Sequence, residues 1–256
     1  MKTIVSWSSG KDSAWTVHVL RRRGDVEIGA LLTTINETAQ RAAMHAVRVD
    51  VLQAQAAAIG APLWLVPIPS PCPNDVYERA MAGAVARAVR EGFTHAAFGD
   101  LFLDDIRRYR EERLAGSGLT PLFPLFDREP TWTARLARDM VSSGMRARIT
   151  CVNPQLLEAR FAGREFDAVL LDELPSSVDP CAERGEFHTC AYDGPMFSRP
   201  IPVETGITVE RDGFVFTDLV LRRESAAGDR CGVRVQSDRD PREAGPAEAG
   251  HYRKQT

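Results

Sequence analysis

In the first half of the chain, short apolar runs alternate with longer stretches in which apolar positions recur every three or four residues. The short runs (2–7, 27–34, 63–67 and 95–99) predict strands, and the longer ones (13–23, 39–59, 74–91 and 106–117) predict helices. Strands alternating with helices of this length form βαβ units and hence a parallel sheet. Beyond a stretch punctuated by Pro121, Pro124 and Pro130 the order changes. A helix over 133–143, a strand over 146–152, a short helix near 154–159 and another over 166–171 come first. From Gly185 the pattern turns β-like, with strands expected at 187–192, 201–210 and 214–222 and a tight hairpin turn at Arg211-Asp212-Gly213. The expected fold is α/β, with a parallel-sheet domain over 1–126 and a smaller C-terminal α+β domain over 127–224. Residues 225–256 are rich in Arg, Asp, Glu, Gly and Pro, lack apolar periodicity and are expected to form a disordered tail.

Composition narrows the class. A chain of 256 residues, 44% hydrophobic and 26% charged, can bury a main core and a smaller second one. Its formal net charge of -3 supplies no overall basic field, so nucleic acid is not an expected partner. The cysteines, Cys72, Cys151, Cys181, Cys190 and Cys231, are scattered and form no CxxC pair. That usage fits a reducing compartment and argues against a structural zinc site. No signal-peptide core opens the chain, and no apolar run approaches the roughly 18 residues of a membrane span. The expectation is a cytoplasmic enzyme without a membrane partner; no helix face or sheet edge singles out an oligomer interface.

The chemistry begins at Ser8-Ser9-Gly10-Lys11-Asp12-Ser13, between the first predicted strand and the first predicted helix. A polar loop feeding a helix N-terminus binds anions, because backbone N–H groups and the helix dipole converge there. Gly10 permits close approach, Lys11 supplies a point charge, and Ser8, Ser9 and Ser13 add hydroxyls. The spacing is not that of a Walker A loop, which needs Gly at Val5 and Ser or Thr at Asp12. It resembles the PP-loop of the ATP pyrophosphatases, with Ser9 in place of a Gly. Gly99-Asp100, at the end of the fourth predicted strand, is expected to face the same crevice.

A second polar cluster runs from Asp179 through Glu183, Gly185, Glu186, His188 and Thr189 to Tyr192-Asp193-Gly194-Pro195. Its carboxylates and imidazole suit metal binding, amine positioning or acid–base work. Glu183-Arg184-Gly185-Glu186-Phe187-His188-Thr189, followed by Tyr192-Asp193-Gly194-Pro195-Met196-Phe197, resembles the GENGEFHT and YDGPLF elements of the diphthine–ammonia ligase family. Further pieces occur in the same order: His45-Ala46-Val47, Gln53-Ala54-Gln55, Gly60-Ala61-Pro62-Leu63, Tyr77-Glu78, Phe98-Gly99-Asp100, the run from Asp105 to Glu111, and Phe123-Pro124-Leu125. The resemblance covers about residues 1–222.

That resemblance implies a Rossmann-like adenine-nucleotide-binding domain with a PP-loop, closed by the C-terminal domain. It also implies a reaction in which a carboxylate becomes an amide at the expense of ATP and ammonium, with release of AMP and pyrophosphate. Ser8 to Ser13 would hold ATP, Lys11 would offset charge on the departing pyrophosphate, and Asp12 would help hold Mg2+. Asp100, Glu186 and His188 would serve catalysis, Glu186 or His188 as the base toward ammonium. His45, Arg107, Glu183, Gly185 and Thr189 would contact substrate. The chain departs from the family pattern at Ser9, at Ala182 (usually Gly) and at Arg184 (usually Asn), so the acceptor carboxylate need not be diphthine. Its Ala- and Arg-rich composition suggests a bacterial source. Two other readings are a PP-loop tRNA sulfurtransferase, for which Cys181 and Cys190 would matter, and a non-catalytic ATP-binding sensor.

Overall fold

The computed structural model describes residues 1–42, 46–129 and 131–222; the expected tail and His45 lie outside the described residues. Ile4 and Val5, buried on both faces, anchor β1 (Lys2–Ser6), from which α1 (Lys11–Arg23) follows and buries Ala14, Val17 and Leu20. β2 (Glu27–Asn36) lies parallel to β1, and the short β3 (Arg41–Ala42) folds back antiparallel onto its end. Then come α2 (Val49–Ile59), β4 (Leu63–Ile68), α3 (Asn74–Arg90), β5 (His95–Ala97), α4 (Asp104–Leu114) and β6 (Thr120–Leu122). The parallel strands stand in the order β4-β2-β1-β5-β6. The order reverses between β1 and β5, which opens a crevice at their carboxyl ends.

The remainder comprises α5 (Trp132–Ser142), β7 (Arg146–Val152), a 3-10 turn (Ala159–Phe161), α6 (Ala168–Glu173), β8 (Phe187–Asp193), β9 (Val203–Arg211) and β10 (Phe214–Leu221). Its strands form an antiparallel sheet in the order β8-β7-β10-β9, which lies against α1 and α2. One core joins the two parts, with Val5, Leu20 and Leu52 in the same apolar cluster as Leu136, Ile149 and Phe187. The other face of the parallel sheet buries Ile4, Ala30 and Trp64 with Ala88, Phe93 and Leu114. Asp218 of β10 accepts bidentate hydrogen bonds from both Arg41 and Arg48, tying the second sheet to the segment beyond β2. Among the described residues, no helix is long and apolar enough to cross a membrane.

The alternation of strands and helices is as the hydrophobic pattern predicts, and the hairpin turn has positive φ at Asp212 and Gly213. Four local readings are corrected. The helix expected over 39–59 starts only at Val49. Asn36 Oδ1 accepts the N–H groups of Thr38 and Ala39, and this side-chain turn returns the backbone as β3. The strand expected over 95–99 ends at Ala97, and β6 went unpredicted because Pro121 disguises it; as an edge strand it tolerates the missing donor. The helix expected at 154–159 is a turn in which Leu156 and Leu157 N–H donate to Asn153 O, followed by the 3-10 turn. The helix expected over 166–171 begins at Ala168, because the Asp167 side chain accepts from Leu170 N and caps it.

Candidate functional site

β1 delivers the chain to Trp7, whose N–H donates to Leu32 O at 2.7 Å and whose carbonyl accepts from Thr33 Oγ1 at 2.7 Å. The next residues bend into the loop. Ser9 takes a left-handed conformation at φ 73, where a residue with a Cβ is strained by about 1 kcal/mol. Its carbonyl is held from two sides, by Ala191 N of β8 at 2.9 Å and by Gln55 Nε2 of α2 at 3.1 Å. Gln55 is fully buried, also donates to Ala191 O at 2.6 Å, and accepts from Trp7 Nε1 at 3.2 Å. Ser9 Oγ is buried with no hydrogen-bond partner of good geometry; the Cys190 thiol lies beside it. Beyond Ser9, Ser13 Oγ donates to Gly10 O at 2.9 Å and lies 3.2 Å from Ser8 Oγ, which accepts from Gly10 N at 3.3 Å. The Ser8 and Ser13 hydroxyls thus both bond to the Gly10 backbone at the first turn of α1.

Lys11 is buried at 3% exposure. Its ammonium donates to Asp12 Oδ2 at 2.9 Å and to the Cys181 carbonyl, and it lies 5.7 Å from the ring centroids of Phe166 and of Phe187. Burial works against its charge, but Asp12 and, behind it, Cys181 and Glu183 outweigh burial and hold the ammonium above its ordinary range. The Asp12 carboxyl is pushed up by burial, which Lys11 offsets only in part and Asp179 reinforces. Asp12 Oδ1 is buried without a partner.

The second polar segment forms a roof over this pair. Lys11 N donates to Thr189 Oγ1 at 3.1 Å, so the residues expected to bind nucleotide and those of the C-terminal segment meet. Glu183 points inward and accepts from Leu101 N at 3.0 Å, bridging to the loop after β5. Burial, then the charges of Asp12 and Asp100, push its carboxyl up to about 8, against the pull of the Leu101 N–H. Gly99 allows that loop to close, since a Cβ there would meet Asp12 backbone and Thr16 Oγ1 at 3.1 Å. Glu186, by contrast, turns into the roof itself. It is buried, and its two oxygens accept from Asp179 N at 2.9 Å and Arg184 N at 3.0 Å. Gly185 at φ 86 and Ala182 at φ 59 make the turn, and Ala182 holds this left-handed conformation despite its Cβ.

The other expected residues have contacts of their own. Strand alternation turns His188 to the face of β8 opposite Phe187 and Thr189. Asp100 is locked bidentately to Arg110 at 2.6 and 3.2 Å. Arg107 pairs with Glu111 at 2.8 Å and lies over the rings of Phe123 and Phe126. His45 is outside the described residues. Sequence reasoning missed the structural use of Gln55, Phe166, Asp179 and the Cys181 carbonyl. Gln55 had a signal in the family-like Gln53-Ala54-Gln55 run and Asp179 in the second polar cluster; Phe166 had none. Among the described residues no group of three His, Cys, Asp or Glu is placed to hold a metal ion. Asp12 Oδ1 still fits Mg2+, which takes one or two carboxylates and completes its octahedron with phosphate oxygens and water.

Two family models match the chain: the diphthamide synthase N-terminal domain over residues 1–114 and the diphthamide synthase C-terminal domain over residues 132–219. No curated protein sequence matches it. The matched segments contain both halves of the site at Lys11, the Ser8–Ser13 loop in the first and Phe166, Cys181 and Thr189 in the second. The chain belongs to the diphthamide synthase family, with its N- and C-terminal domains in that order.

Proposed function

We propose that this protein is an ATP-dependent amide ligase that joins ammonium to a carboxylate on a small molecule or a modified protein residue. The observation that carries the reading is the meeting of the Ser8–Ser13 loop with the Asp179–Thr189 segment at the Lys11 ammonium. A phosphate loop alone would serve any nucleotide protein. In the reaction the acceptor carboxylate attacks the α-phosphorus, the bond to the pyrophosphate oxygen breaks, and an acyl-adenylate results. Ammonia then attacks the acyl carbon, and AMP departs with the former carboxylate oxygen. We also propose the division at 126/127, in the interval that neither family model covers.

Ser8, Ser9, Gly10, Ser13 and the first-turn amides of α1 would cradle the phosphates, and Lys11 would offset charge on pyrophosphate as it leaves. Asp12 Oδ1 would hold Mg2+, whose contribution is to neutralise phosphate charge. We assign the proton acceptor for ammonium to Glu183 rather than Glu186 or His188. Glu186 has both oxygens engaged by backbone N–H groups, whereas Glu183 has a carboxyl near neutrality beside Asp12. Asp100, fixed by Arg110, would set the Leu101 loop against which Glu183 rests. Thr189 would orient the Lys11 turn, and Gly185 would shape the roof. Arg107 and His45 would contact the acceptor.

The sulfurtransferase reading loses support because both thiols are buried. Burial pushes the Cys190 thiol up to about 12 and the Cys181 thiol well above its ordinary value, so neither offers a thiolate near neutral pH. The test is incubation with Mg-ATP, ammonium chloride and a panel of carboxylates. AMP, pyrophosphate and amide should appear in equal amounts and fall by about 100-fold or more in Lys11→Met. ATP bound but intact with every acceptor, or turnover retained in a folded Lys11→Met, refutes the reading.

A further inference from the structure

On the ligase reading above, we propose that the enclosure around Lys11 Nζ is the binding site for the ammonium substrate, filled by the protein's own ammonium until nucleotide arrives. The enclosure consists of the Cys181 carbonyl, Asp12 Oδ2 at 2.9 Å, and the rings of Phe166 and Phe187, each 5.7 Å away. Two oxygen acceptors and two aromatic faces recognise a compact –NH3+ or NH4+ group. A guanidinium, planar and wider, does not match that shape.

The use of lysine supports this. The chain has 32 basic residues, of which only Lys2, Lys11 and Lys254 are lysines. Arginine supplies the cation of the ion pairs at Asp100, Glu165, Glu173 and Asp218. At position 11 the site holds an ammonium instead. Lys11 also opens α1, so phosphates on the loop offer its flexible stem a more highly charged partner than a carbonyl and one carboxylate. Once Lys11 swings to them, Asp12, Cys181 and the two rings are left with a vacancy of matching charge and size. Free NH4+ settling there stands next to Glu183, to which it passes one proton before the nitrogen lone pair attacks the acyl carbon. Nucleotide therefore binds first, and ammonium enters only a site already armed.

The test is thermal unfolding of the full chain, alone and with Mg2+ plus α,β-methylene-ATP, in ammonium chloride or in sodium chloride of equal ionic strength. With nucleotide present, ammonium should raise Tm by about 2–4 °C beyond sodium, saturably; without nucleotide the two salts should act alike. Phe187→Leu keeps apolar bulk but removes one ring face. It should lose the ammonium increment while keeping the nucleotide's own shift; Phe166→Leu is the substitute should that variant not fold. Equal responses to the two salts in the presence of nucleotide, or an increment undiminished in the Leu variants, overturn the proposal. No shift from nucleotide at all overturns the ATP reading itself and the proposal with it.

Discussion

Replacing Glu183 with Gln tests both the energetics of the site and the assignment of the base. In the folded chain this carboxyl is pushed from 4.5 to about 8, first by burial and then by Asp12. Between those values the folded protein keeps a proton that the unfolded chain has released, so stability falls as pH rises through this window and levels off above about 8. At about 1.4 kcal/mol per unit, the ionised carboxylate costs up to roughly 5 kcal/mol at pH 9; part exposure and screening reduce that to about 3 kcal/mol. Gln keeps an oxygen for Leu101 N and carries no charge. Glu183→Gln should match the wild type within about 1 kcal/mol at pH 4, where both states hold the proton, and exceed it by about 3 kcal/mol at pH 9, a rise of about 1 M in urea midpoint. Urea titrations followed by Trp7 and Trp15 fluorescence at several pH values measure this. Amide formation by the wild type should rise through about pH 8, and the variant should lose about 100-fold in the ammonium step. Parallel pH dependence of stability in the two proteins would refute the buried-carboxyl argument.

Ser9→Gly removes the Cβ from a left-handed position and should raise stability by about 1 kcal/mol, read as an increase in Tm, without loss of nucleotide binding. Gln55→Leu removes the side-chain partner of Trp7 Nε1 and Ala191 O and leaves Ser9 O with Ala191 N alone, so a loss of about 2–4 kcal/mol in a urea titration is expected, with weaker ATP binding by calorimetry. Burial pulls the Asp218 carboxyl up, but hydrogen bonds from Arg41 and Arg48 outweigh it and hold the group below its ordinary range. Its contribution is present above the unfolded value of 3.8 and is lost as pH falls through the lower folded value. Asp218→Asn should cost about 1–3 kcal/mol at pH 7 and nothing once acid has protonated the wild-type carboxyl, which paired urea titrations at pH 7 and pH 2 will show.

What the sequence made legible was local. The period of apolar positions identified the parallel sheet, and Asp212-Gly213 announced its hairpin by composition. Ser8 to Ser13 spelled a phosphate loop because that chemistry is done by consecutive backbone groups. What stayed hidden depended on side chains acting at a distance or overriding a pattern. Asn36 ended an apparent helix with one carboxamide oxygen, and Pro121 concealed an edge strand. Glu183 and Glu186 are three residues apart and chemically alike, so sequence could not say which faces Lys11. The left-handed turn through Ala182 and Gly185, pinned by Asp179, decides it by folding Glu186 back onto its own loop.

The loop that would bind nucleotide does not hold its own shape. Ser9 is strained, and the groups that stabilise its carbonyl come from α2 and β8, with Gln55 linking both to Trp7. Lys11 N rests on Thr189, and its ammonium on Cys181. The contacts to Ala191, Thr189 and Cys181 reach from the parallel-sheet part to an element that the antiparallel sheet or its flanking loop supplies, through a core that both share. Forming the loop and docking the second sheet are therefore coupled, because separating them would leave a strained residue held from one side only and the Lys11 ammonium without the Cys181 carbonyl. This coupling gives a physical reason for the two matched domains to occur in one chain: the first carries the phosphate chemistry, and the second supplies the contacts that hold it in place.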